Sequence, residues 1–199
     1  FLSILSLFFC CISIKVFAQN GTETNTLFLP LISKGIGQPV LKFAYAGCYS
    51  SWCETGWYSS PAIINIDDDS QAEIIASAYS LWALDGATGQ LQWRIDPGHG
   101  RTWPGIVIAD LQNDGMKEII LGQGDGTLSS FSLQGNLEWE KRITTSELRG
   151  LSVMDVDGNG SAPEILVTAA IGSKTSVWLL SSNGDVKNGW PQVINTDIS

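Results

Sequence analysis

After residue 40 the apolar positions of this chain fall in short runs separated by Gly, Asp and Asn, and no stretch shows a helical period of apolar residues. That pattern predicts short strands joined by tight turns. One copy is especially clear. Residues 105–109 are predicted as a first strand, an acidic loop follows, and 118–121 form the continuous apolar run expected of a strand buried on both faces. Gly124-Asp125-Gly126 then turns into a third strand over 127–133, and Gln134-Gly135-Asn136 into a fourth over 137–143. The plan recurs on either side, with Ile74-Ile75 and Ile165-Leu166-Val167 at the buried-run position. Leu91-Gln92-Trp93, Leu137-Glu138-Trp139 and Gly189-Trp190-Pro191 are expected to put a tryptophan on each last strand, where it packs between neighbouring sheets.

The loops between first and second strands repeat in phase. They read Asn65-Ile66-Asp67-Asp68-Asp69-Ser70-Gln71-Ala72-Glu73, Asp110-Leu111-Gln112-Asn113-Asp114-Gly115-Met116-Lys117-Glu118 and Asp155-Val156-Asp157-Gly158-Asn159-Gly160-Ser161-Ala162-Pro163-Glu164, with first residues 45 positions apart both times. A period of that length suits propeller blades, each a small sheet that buries its faces only by stacking on its neighbours. The expected class is all-β: a β-propeller of four-stranded blades at about 57–100, 101–146 and 147–195, with a further partial blade. A closed ring needs about four to eight blades, so the chain is expected to be a fragment of a larger ring.

Composition agrees with a folded chain. The 199 residues are 44% hydrophobic and 16% charged, enough for a substantial core, and eight tryptophans and 21 glycines suit short strands and tight turns. The formal charge of −9, with 11 scattered basic residues, argues against a nucleic-acid partner. Residues 1–18 form an apolar block ending in Val16-Phe17-Ala18, which reads as a secretory signal cut after Ala18, and 19–40 read as a linker. No transmembrane span is expected in the mature chain, and the expected localisation is secreted or cell surface. Cys48 and Cys53 are then the cysteines of the mature chain; their spacing lets them close a disulfide in an oxidising compartment, with two free thiols as the alternative.

A hard cation such as calcium takes about six to eight oxygens, and alternate residues of a tight loop can turn side chains inward while a carbonyl completes the cage. Positions one, three, five and the closing Glu supply those groups: Asn65, Asp67, Asp69 and Glu73 with the Gln71 carbonyl; Asp110, Gln112, Asp114 and Glu118 with that of Met116; Asp155, Asp157, Asn159 and Glu164 with that of Ser161. The third set requires the extra residue near Pro163 to be absorbed as a bulge. An EF-hand would need a bidentate Glu at the twelfth position, where the chain has Ala76, Leu121 and Leu166 in apolar strands.

These loops, the apolar strand after each, and the Arg149-Gly150-Leu151-Ser152-Val153 lead-in resemble the FG-GAP/VCBS repeats of integrin alpha-chain propellers and of many secreted bacterial proteins, over about residues 57–195. The resemblance implies a propeller, seven-bladed in the integrin case, with calcium between the first two strands of a blade. Ser70 in place of the loop glycine, Asn65 in place of the first Asp, and the longer third loop depart from the family pattern. Ala83-Leu84-Asp85-Gly86-Ala87-Thr88-Gly89-Gln90-Leu91-Gln92-Trp93 looks like a single quinoprotein-type propeller repeat.

The leading expectation for function is a secreted, calcium-stabilised binding or adhesion module for an extracellular protein or glycan. The alternative is part of a polysaccharide-cleaving, lyase-type propeller enzyme. No catalytic residue is assigned: His99 is the chain's one histidine and reads, with Arg101, as part of a solvated loop. Trp57, Tyr58, Trp103 and Arg149, each read as lying just ahead of a first strand, are the candidate ligand surface.

Overall fold

The computed structural model describes residues 13–15, 26–28, 41–45, 54, 59–67, 69–172 and 174–194. Cys48, Cys53, Trp57, Tyr58 and Asp68 lie outside the described residues. The chain divides into two units, Phe1–Leu41 and Lys42–Ser199. In the first, β1 (Ser13–Lys15) pairs antiparallel with β2 (Thr26–Phe28).

The second unit contains three four-stranded antiparallel meanders and, among the described residues, no helix. The first blade is β3 (Ala62–Ile64), β4 (Glu73–Ser77), β5 (Leu81–Asp85) and β6 (Leu91–Ile95). The second is β7 (Val107–Ala109), β8 (Glu118–Gly122), β9 (Thr127–Ser132) and β10 (Leu137–Arg142). The third is β11 (Leu148–Met154), β12 (Glu164–Ile171), β13 (Lys174–Leu180) and β14 (Gln192–Ile194). In each, neighbours in sequence are neighbours in the sheet.

Burial explains the apolar runs. Every residue of β8 is buried because the middle sheet is covered on both faces. Ile119 and Leu121 pack with Ile75, Leu81, Ala83, Ile106 and Phe131 of one cluster. Ile120, between them on the opposite face, packs with Leu111, Leu128, Leu148, Ile165, Val167 and Leu180 of the other. Each such Ile or Leu contributes roughly 1.5–3 kcal/mol by leaving water. In β4 burial alternates, because one face is covered more fully than the other.

The blades also lock through the ends of their outer hairpins. Trp93 of β6 lies against Gly135 in the β9–β10 turn, where an added Cβ would come 3.1 Å from the ring. Trp139 of β10 lies against Gly184 in the β13–β14 connection, where the same atom would come 2.8 Å from the ring. Phe43 stands on Gly89 in the same way. Two of the three expected tryptophans, Trp93 and Trp139, therefore sit on last strands, but Trp190 does not: it precedes β14, in a cis bond to Pro191. The first strand of the middle blade is shorter than the pattern predicts, since the Ile106 N–H donates to Ser60 O at 3.1 Å, in the preceding segment, and β7 starts at Val107.

Candidate metal centres

Each acidic loop leaves its first strand at the same register. Ile64 pairs with Glu73, Ala109 with Glu118 and Met154 with Glu164, so the closing glutamate always faces the residue just before the loop. The extra residue of the third loop is thus taken up inside the loop, and the strand pairing is unchanged. All three glutamates are buried. Each accepts a hydrogen bond from the backbone N–H at the loop's second position: Ile66 at 2.8 Å, Leu111 at 2.7 Å and Val156 at 2.9 Å. The glutamate pins the loop's start to its end.

Short side chains at alternate positions order the rest. The seventh-position N–H donates to the fifth-position side chain in every copy: Gln71 to Asp69 at 2.5 Å, Met116 to Asp114 at 2.8 Å, Ser161 to Asn159 at 2.7 Å. Asp110 accepts from Asp114 and Gly115, and Asp155 from Gly158 and Gly160. The bond from Gly160, with that from Gly158, holds the Asp155 carboxyl below its usual range against the opposing effect of burial. In the first loop Asn65 takes the first position, its Oδ1 accepting from Asp67 N–H and its amide donating to Asp69 O. Gly115 and Gly160 adopt left-handed backbone (φ 89° and 68°), whereas Ser70, at the same position, does not. A side chain there disfavours positive φ, so the first loop follows its own path.

The loops differ in what they gather. One oxygen each from Asp67, Asp69 and Glu73 fall within 4.8 Å of one another, and so do oxygens from Asp155, Asp157 and Glu164. Asp110, Asp114 and Glu118 form no such group. Gln112, predicted to offer an oxygen, can instead turn its amide nitrogen onto Glu118, at 2.8 Å from Oε2 and 3.0 Å from Oε1. Burial raises the Glu118 pKa, the bond from Leu111 opposes that rise, and the carboxylates of Glu138, Asp110 and Asp114 add to it. In the first loop the second carboxylate oxygen of Glu73 is buried and accepts no hydrogen bond. In the third, the corresponding oxygen of Glu164 takes the Lys187 ammonium, which also lies 3.5 Å from Asp157. Lys187 was not among the residues the sequence pattern picks out.

At the opposite ends of the strands, the structure brings Trp103 and Arg149 together, the guanidinium 3.9 Å from the ring centroid. Arg101 flanks the same ring at 5.8 Å and donates to the Tyr79 hydroxyl at 2.9 Å. A cavity of about 450 Å³ opens here, lined by Tyr79, His99, Arg101, Trp103, Asp125 and Glu147 among others. His99 is held between Asp125 (3.0 Å) and Glu140 (3.1 Å). Burial works to lower its pKa, but the bonds to these two carboxylates raise it.

No protein-family model matches the sequence, and no curated protein matches it. Among solved structures, the chain is similar to a europium-containing methanol dehydrogenase at 16% identity and a TM-score of 0.50, over 73% of this chain and 26% of that one. It is also similar to BamB from Moraxella catarrhalis at 18% identity and a TM-score of 0.43, covering 65% of this chain and 35% of BamB. The BBS1N chain, solved in complex with ARL6DN and soaked with lead, matches at 16% identity and a TM-score of 0.43, with 66% and 38% covered. This chain thus spans well under half the length of each. The likeness is one of fold, and with three stacked four-stranded sheets it makes the chain a partial β-propeller.

Proposed function

We propose that the chain is part of an extracellular β-propeller of FG-GAP/VCBS type, stabilised by calcium in its first acidic loop and serving as a binding module. The observation that carries the calcium reading is Glu73. Its carboxylate is fully buried, one oxygen holds the Ile66 N–H, the other accepts nothing, and one oxygen of the carboxylate lies within 4.8 Å of one from Asp67 and one from Asp69. A buried carboxylate oxygen without a partner is costly, and a divalent ion shared with two neighbouring carboxylates removes that cost. The ligands are hard oxygens in a flexible loop, which suits calcium better than magnesium.

The binding surface is the Trp103 platform with Arg101, Arg149 and Tyr79 at the far ends of the strands. Aromatic faces beside guanidinium groups suit a glycan or a protein loop. Calorimetric titration of the full chain with calcium tests the first part: binding at sub-millimolar to millimolar Kd, abolished by Glu73→Gln, supports it, and no heat from any loop refutes it. Glycan-array binding weakened by Arg149→Ala tests the second.

A further inference from the structure

One repeat position carries a different charge in each blade, and in the second and third blades it acts on the loop glutamate. Gln92, Glu138 and Lys187 each follow by three residues the left-handed turn glycine, Gly89, Gly135 or Gly184. Each also comes directly after the residue that pairs with the end of the third strand: Leu91 with Leu84, Leu137 with Phe131, Val186 with Leu180. In the first two blades the sheet register shifts at this point, the signature of a bulge that re-aims a side chain. Lys187 N–H, donating to Leu179 O at 2.9 Å, fixes the third copy.

The consequence for the loops is graded. In the first blade the position is neutral, and one Glu73 oxygen remains without a hydrogen bond. In the second it is Glu138, which adds negative charge next to Glu118. In the third it is a lysine from outside the loop, whose ammonium binds Glu164, a residue 4% exposed, and reaches Asp157.

We propose that Lys187 is the resident cation of the third loop, its ammonium neutralising Glu164 and Asp157 in the place a calcium ion takes in the first. The proposal rests on the calcium reading of the first loop for its comparison, but not for its own geometry. A calcium ion entering the third loop would have to expel a paired ammonium and would meet one fewer net negative charge; affinity in such oxygen cages follows ligand charge. The third loop therefore keeps its shape without calcium, and the first depends on it.

The experiment is calcium titration of the full chain by calorimetry, as wild type and as Lys187→Gln, Lys187→Arg and Glu73→Gln. Lys187→Gln is expected to bind one more calcium per chain than wild type, while Lys187→Arg, which keeps the charge, binds the wild-type number. A folded Lys187→Gln protein with the wild-type count overturns the proposal. Glu73→Gln separates the two readings: it removes the first-loop ion and leaves the gain from Lys187→Gln intact. If wild type binds none and Lys187→Gln binds one, the first-loop reading fails and the lysine assignment stands. A check that needs no variant follows amide shifts of the wild type: calcium should move Gln71 and leave Gly160 in place, and equal movement of both overturns the proposal.

Discussion

The residues that repeat in phase were legible in the sequence, because a carboxylate or carboxamide at every second loop position, closed by a glutamate that opens an apolar run, is a local pattern. What Glu73, Glu118 and Glu164 do was only half legible. Each was read as a cation ligand, and each first serves as acceptor for a backbone N–H, a task visible only once the strand register is known. Lys187 escaped notice because it lies 23 positions from Glu164 and reaches it through the pairing of β12 with β13 and the turn beyond. Two predictions belong at this scale. At about 2 mM calcium a site with Kd of about 0.1 mM stabilises the fold by about 2 kcal/mol. Glu73→Gln should therefore abolish a calcium-dependent rise in Tm of several degrees, read by calorimetry with and without chelator. His99 gives the second: its folded pKa is raised above 6.5, so its contribution is full below that value and is lost as pH rises through the folded pKa. Tm should fall across that window in wild type, and His99→Gln should flatten the decline.

Strands and turns are legible in the sequence where both faces of an element are covered. All of β8 is buried, and its apolar run announces that. Strand ends are less legible wherever a backbone group finds a partner outside its sheet, as Ile106 does with Ser60. Trp190 shows a further limit: a tryptophan and a turn glycine are present, yet it stands six residues after Gly184 where Trp93 and Trp139 stand four after Gly89 and Gly135, Pro191 follows it, and β14 starts only at Gln192. The outer-hairpin turns make the sharpest claim at this scale. Gly135 has φ 83° and a tryptophan ring 3.1 Å from where a Cβ would stand, so Gly135→Ala combines backbone strain with a clash. A loss of about 2–3 kcal/mol is expected in urea denaturation, whereas Gly115→Ala, with nothing within 4 Å, should lose only the part due to φ.

For the molecule as a whole, the repeat interval led to the propeller, since blades of like length must stack. On the edge strands β3 and β14, Ile63, Val193 and Ile194 are more than half exposed. Exposed apolar strands invite pairing with another chain. Sedimentation velocity on the full chain should show association that grows with concentration, and Val193→Lys should reduce it. The alternation of aromatic ring and glycine has a last consequence. Phe43 on Gly89, Trp93 on Gly135 and Trp139 on Gly184 are one joint used three times, with the plug always on the earlier unit and the socket always on the later. Such a joint is heterologous and has polarity, so like units can be added only in one sense, and the series either closes as a cyclic point group or winds as an open helix. Duplication or loss of one whole unit, cut at the same place in the repeat, keeps every plug matched to a socket; a cut between the third and fourth strands of a blade leaves a socket glycine facing water.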